Sequence, residues 1–260
     1  IHKDCQKDEA ADFRVKKYQL DFSVGLNLTG SAKVYVDRSE LKSYRFTLYH
    51  GYKVKQVTDQ TGAALDFRRE YDYVTVTRGG ADVEYLCLEY TGKSPKYYSS
   101  YAGVCLPANF AYYPIPGYRE LFKDSFYGFI DCSLPYDTAF DVRCSGRKQM
   151  YCNLAARGNN HFAGNARSIT LLSGYYDTLK LNDTLVVYPK YADGEIRARI
   201  KKNMGTFTKE HRDIHTIFIM DADNLTPYEH LRSYDGYVVT NSMIDMEQSY
   251  LSLIHISEPT

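Results

Sequence analysis

Two histidines four residues apart, His211 and His215 in KEHRDIH, are the residues best spaced for metal chemistry. On a helix, a pair at i and i+4 shares one face. The H-E-x-x-H motif uses that face to hold zinc, and its Glu moves protons. Here Arg212 stands beside the first His, and a guanidinium cannot accept a proton. His215 also opens the strand-like run HTIFIM, where residues four apart are separated by about 13 Å of strand rise. The spacing predicts a basic helix end followed by a buried strand, with no metal ligand in this chain.

The six cysteines are Cys5, Cys87, Cys105, Cys132, Cys144 and Cys152. None forms the C-x-x-C pair of a zinc ribbon or a thioredoxin-like motif. A chain of 260 residues builds a core without staples, so these thiols are expected as small buried apolar groups. Cys144 and Cys152 could be bridged if the domain is exported. There is no G-x-S-x-G elbow, P-loop or G-x-G-x-x-G. RGNNHFAGN reads as a hairpin loop, because no helix follows it to cradle a phosphate. The acidic residues are scattered at turns and nominate no carboxylate pair. Lys plus Arg and Asp plus Glu both number 32. A balanced chain argues against a general nucleic-acid or anionic-membrane partner, since that binding runs on excess positive charge. No run approaches the ~18 apolar residues of a membrane span.

The elements around these residues are mostly strands. In YQLDFSVGL, Tyr18, Leu20, Phe22, Val24 and Leu26 alternate with mostly polar neighbours, the period of a half-buried strand. Ala32, Val34 and Val36 repeat the pattern, as do Tyr44, Phe46 and Leu48. After the DQTG turn come Val74 and Val76, then Leu86, Leu88 and Tyr90, and later Phe140, Val142 and Cys144. Strands recurring every 8–12 residues with no crossover helix predict an antiparallel β-sandwich. One segment breaks the rhythm. KSPKYYSSYAGVCLPANFAYYPIPGYRE is a long aromatic connection, either functional or a cover for a sheet edge through its tyrosines.

Near residue 185 the texture changes. EIRARIKKNMGTFTKEH carries Ile196, Ile200 and Met204 at helical spacing. DIHTIFIMDAD reads as a strand, TPYEHLRSY as a helix opened by Thr-Pro, GYVVTNS as a strand and MIDMEQSYL as a further helix start. This cadence belongs to an α/β domain. The expected organisation is a polar lead-in over 1–12, a β-sandwich over 13–185 and the start of an incomplete α/β domain over 186–250.

The order of segments resembles the zinc aminopeptidases typified by aminopeptidase N, the gluzincins. The resemblance is carried by YQLDFSV, LTGSAKVYV, YRFTLYHGYKVKQV, LEYTG, the aromatic-Tyr-Pro turn AYYPIPG, AFDVRCSG and ITLLSGYY, across about residues 13–180. YYPIPGYRE departs from better-known members, which carry an acidic Asp-Glu-Pro run there. The resemblance implies an amino-terminal sandwich without catalysis, followed by a thermolysin-like domain. Zinc and a peptide substrate would belong to the full-length parent, with a membrane-permease fusion as one form that parent could take. It also implies that the loop 97–118 borders the active site, so Tyr101 and Asn109 are the candidate substrate-facing residues. The closing decapeptide LSLIHISEPT, Leu251–Thr260, resembles a translated sequencing adapter and is expected to lie outside the fold. The competing expectations are a non-enzymatic binding module using the Tyr-rich loop and a zinc-less scaffold homologue.

Overall fold

The computed structural model describes residues 8–95, 97, 103–121, 132–192, 194–220 and 231–240. The first strands are β1 (Val15–Val24), β2 (Leu28–Val36), β3 (Ser43–Thr47), β4 (Tyr52–Thr58), β5 (Phe67–Glu70), β6 (Tyr73–Thr77) and β7 (Tyr85–Gly92). After them come β8 (Gly103–Leu106), β9 (Ile115–Pro116), β10 (Thr138–Gly146), β11 (Met150–Cys152), β12 (Ala155–Gly158), β13 (His161–Ala166) and β14 (Leu171–Gly174). They form a seven-stranded sheet in the order β12-β13-β10-β1-β2-β7-β4, a four-stranded sheet β5-β6-β3-β9 and a three-stranded sheet β11-β14-β8.

The period-2 pattern sets the faces. Tyr18, Leu20 and Phe22 of β1, with Ala32, Val34 and Val36 of β2, point inward and are buried. They meet Tyr44, Phe46, Val74 and Val76 of the four-stranded sheet in a single core, closed at one end by Leu106, Met150 and Leu171. Leu26, read as a further inward residue, is 81% exposed. It sits in the turn between β1 and β2, closed by the Gly25 amide donating to the Asn27 carbonyl at 3.1 Å. The turn therefore interrupts the alternation. The RGNNHFAGN hairpin is present as β12 and β13, with Asn160 at φ 51 in its turn.

One expectation needs correction. The sandwich is not wholly antiparallel, because β1 pairs parallel with β10, Tyr18 facing Phe140 and Leu20 facing Val142. Their rings stack at 4.9 Å. Parallel neighbours need a long connection, and the chain between these two strands supplies it by passing through the other sheets first.

The aromatic connection also differs from a surface loop. Tyr112 and Tyr113 are fully buried in the core. Irregular backbone inside a protein must find partners for its amides and carbonyls, and tyrosine hydroxyls supply them. Tyr18 donates to the Pro114 carbonyl at 2.8 Å, Tyr90 to the Tyr112 carbonyl at 2.8 Å and Tyr112 to the Ile169 carbonyl at 2.9 Å. The Tyr113 hydroxyl accepts from the Ile169 amide at 3.4 Å. Burial raises the pKa of Tyr18, Tyr90 and Tyr112 well above the usual phenol value, which keeps each a donor.

The remaining elements are β15 (Tyr176–Leu181), β16 (Thr184–Pro189), α1 (Gly194–Glu210), β17 (Thr216–Ile219), β18 (Leu231–Tyr234) and β19 (Tyr237–Thr240). Their sheet runs β15-β16-β17-β19-β18, with β16, β17 and β19 mutually parallel and the outer two antiparallel. Helix α1 lays Ile200, Met204 and Phe207 on one face, against Val186, Ile217 and Val238. Residue 185 lies inside β16, so this sheet takes strands from both sides of that position. The helix expected in TPYEHLRSY is corrected over its described part: Leu231–Tyr234 is strand β18. It joins β19 through Asp235 and Gly236, and Gly236 takes φ 78. An Asp-Gly pair between strands is a strong hairpin signal; residues 226–230 of TPYEHLRSY lie outside the described residues. The helix start in MIDMEQSYL lies outside the described residues.

Candidate functional site

The second face of the five-stranded sheet meets the three-stranded sheet. Cys105, Phe110, Leu172 and Tyr176 pack there against Val187, Phe218 and Val239. At this junction the chain leaves β8 through Pro107 and makes a short 3-10 turn, Ala108–Phe110. The turn ends at Ala111, whose φ is 42. That left-handed residue redirects the backbone toward the buried tyrosines.

Asn109 lies in this turn and is fully buried. Its Oδ1 accepts a hydrogen bond from the Tyr234 hydroxyl at 3.2 Å. Its Nδ2 has no hydrogen-bond partner among the described residues. A buried amide donor left unmade costs about 1–3 kcal/mol, and this nitrogen is closed off from solvent. The Tyr234 ring stacks on Tyr237 at 4.6 Å and 8°. Thr170 Oγ1 accepts from the Ala108 amide at 3.2 Å and donates to the Tyr237 hydroxyl at 3.2 Å. Tyr237 also meets Ser168 Oγ at 2.9 Å, and burial raises its pKa well above the phenol range. This relay fixes the turn to the β18–β19 hairpin.

Among the described strands, β18 is the outermost of its sheet. Asn109 therefore stands beside an antiparallel strand at a sheet edge. The edge of β18 can add an extended strand, whereas Asn109, fully buried, reaches the hairpin from within through the Tyr234 hydroxyl. Sequence reasoning missed Tyr234 and the hairpin. The signal that could have found them was Asp235-Gly236.

The other candidates are placed as follows. Tyr101 lies outside the described residues, as does Cys5. His211 follows the end of α1, its amide donating to the Phe207 carbonyl at 2.9 Å and its ring 4.3 Å from Phe207. His215 precedes β17, its amide donating to the Gly236 carbonyl at 2.8 Å. A turn separates the two, so they share no helical face. Among the described residues no group of three or more His, Cys, Asp or Glu could hold a metal ion. No catalytic step is assigned to the described residues.

Cys87, Cys105, Cys132, Cys144 and Cys152 are free thiols, so the bridge considered between Cys144 and Cys152 is not formed. Burial pushes the Cys152 thiol up to about 12 and raises Cys144 as well, where Cys152 and Asp21 add to the effect. Alkylation needs the thiolate. At pH 8, Cys152 of the native chain should react with iodoacetamide at least ~100-fold more slowly than in guanidinium. Mass mapping of the labelled peptide checks this, and equal rates would contradict the buried placement.

No protein-family model matches the chain, and no curated protein matches it. Solved structures do. Yeast LTA4 hydrolase in complex with bestatin matches 94% of this chain and 43% of its own, with a TM-score of 0.66 at 11% identity. Native leukotriene A4 hydrolase from Saccharomyces cerevisiae matches 96% of this chain and 45% of its own, with a TM-score of 0.64 at 12% identity. An M1 zinc metallopeptidase from Deinococcus radiodurans matches 95% of this chain and 65% of its own, with a TM-score of 0.55 at 12% identity. The chain shares its fold with these structures over 94–96% of its length. The chain spans less than half of the yeast hydrolase and about two-thirds of the Deinococcus enzyme.

Proposed function

We propose that this chain is the non-catalytic amino-terminal portion of a zinc-dependent metallo-aminopeptidase, whose full-length parent hydrolyses peptide bonds at a free amino terminus. The observation that carries this reading is the shared fold over 94% or more of the chain. A peptide partner is supported by the Deinococcus enzyme, one mutant of which was solved with a Tyr-Ser-Ala substrate. On this reading the five-stranded sheet begins the catalytic half. The edge of β18 then borders the peptide groove, with the buried Asn109 turn held behind it through Tyr234. Zinc, held by ligands outside the described residues, would supply a bound water of lowered pKa. The rival binding-module reading has less support, because Tyr97, Tyr112 and Tyr113 of the aromatic connection are at most 2% exposed.

The test is to recover the genomic reading frame past Tyr250 and express the longer protein. It should encode H-E-x-x-H with a later Glu and release the first residue of Tyr-Ser-Ala. A chelator should abolish that activity and zinc should restore it, while the 260-residue chain alone stays inactive. Asn109→Ala removes the acceptor of the buried Tyr234 hydroxyl, so it should cost about 1–3 kcal/mol of stability, read as a lower Tm. A frame that lacks the motif, or a longer protein inert with zinc, overturns the proposal.

A further inference from the structure

The outward face of the seven-stranded sheet holds an open trough of about 430 Å³, with charged and hydroxyl groups set among apolar ones such as Phe22 and Tyr90. One cross-strand row crosses its floor. Arg143 of β10 stands opposite Asp21 of β1, Asp21 opposite Ser31 of β2, and Ser31 opposite Glu89 of β7. On β4 the register shifts between Val54 and Gln56, which makes Lys55 the extra residue of a bulge facing Glu89. A bulge re-aims side chains, and both Lys55 and Gln56 are exposed here. The row therefore runs cation, anion, hydroxyl, anion, cation.

Opposite charges facing one another across strands ordinarily pair. Among the described residues, Asp21, Glu89 and Lys55 enter no ion pair. Arg143 turns instead to Asp141 of its own strand, at 3.8 Å. Ser23, Thr29 and Ser145 add hydroxyls along the rim. On the same outward face Tyr35 and Tyr85 stand side by side, centroids 4.9 Å apart and planes at 45°, with Lys17 Nζ 5.7 Å from the Tyr35 ring and Lys33 Nζ 5.4 Å from the Tyr85 ring. They lie four residues along the strands from Ser31 and Glu89, about 13 Å by strand rise.

These groups specify a ligand. The trough lining carries two cations and two anions, with Lys33 between it and the tyrosines, so a ligand of either sign meets attraction and repulsion together. A ligand of uncharged hydroxyls, each both donor and acceptor, can use every group in the row. The volume falls within the range of small-molecule sites, and an aromatic pair gives the apolar face of a ring a surface to rest on. We propose that this face binds a neutral oligosaccharide lying along β2, its hydroxyls in the trough and one sugar ring at Tyr35 and Tyr85. The inference is independent of the peptidase reading.

Calorimetric titration of the full chain with cellohexaose, maltohexaose and chitohexaose tests it. At least one should bind with Kd of about 0.1–1 mM, and the affinity should hold from ~0.05 to ~0.5 M salt, because a neutral ligand is not screened. Asp21→Ala and Glu89→Ala should each weaken binding about tenfold with unchanged thermal melting, since both side chains point outward. Absence of binding by all three sugars at about 10 mM overturns the proposal. So does full affinity in both variants, and so does preferential binding of diglycine or polyglutamate that fades with salt, which would mark a charged ligand.

Discussion

Tyr112→Ala is expected to remove about 4 kcal/mol of stability, the cost of truncating a large aromatic in a packed core. A domain of this kind is stable by only about 5–15 kcal/mol, so little margin would be left. The ring is fully buried and sits 5.0 Å from Tyr113 and 5.7 Å from Phe22. Truncation opens a cavity between the sheets and leaves the Ile169 carbonyl without its donor. Tyr112→Phe separates the two effects. It keeps the ring and loses only the hydroxyl, so about 1–2 kcal/mol is expected. Urea midpoints at unchanged m-value measure both. Equal losses in the two variants would show that the hydroxyl, not the packing, holds the aromatic segment.

Gly92→Ala is expected to be as damaging, by a different route. A Cβ at this position would lie 1.9 Å from the Gly51 carbonyl oxygen and 2.8 Å from the Tyr52 Cα. Both obstacles are backbone, and Gly92 pairs with Tyr52 in the β4–β7 ladder. Relief requires β4 to move away from β7, breaking ladder hydrogen bonds and uncovering Tyr52 and Tyr90, whose rings meet at 5.7 Å. A loss of about 3 kcal/mol or more follows, among the largest single-residue effects. Gly205 is the internal control. It lies in α1 with nothing within 4 Å of an added Cβ, so Gly205→Ala should stabilise by about 0.5–1 kcal/mol. Thermal melts that rank the two substitutions alike would refute the steric account.

The strands of the sandwich were legible because one face of each is wet. Tyr18, Leu20 and Phe22, or Val34 and Val36, announce their direction through the polar residues between them. Register and partner choice were less visible. Nothing local in β1 says that its second neighbour is β10, because parallel pairing is decided by the core they share. The burial of Tyr112 and Tyr113 was hidden for a chemical reason. A Tyr-rich, Pro-rich stretch looks like a surface connection until the hydroxyls of Tyr18, Tyr90 and Tyr112 are seen taking the carbonyls that water would otherwise take. At the Asn109 turn, composition carried no signal, and the residue entered only through a family resemblance. Its unpartnered Nδ2 and its tie to Tyr234 exist only once two distant segments have been brought together. Over Leu231–Tyr234 the Asp235-Gly236 turn decided the outcome, because β18 gains a partner in β19.

The β1–β10 pair has a consequence for synthesis on the ribosome. Thr138 Oγ1 donates to the Val15 carbonyl across 123 positions of chain. At roughly 5–20 residues per second, the nascent β1 waits about 6–25 s for its second neighbour, with only β2 beside it. An unpaired edge invites pairing with other chains. Translation stalled before residue 138 would leave that edge of β1 open, a species prone to associate with its own copies.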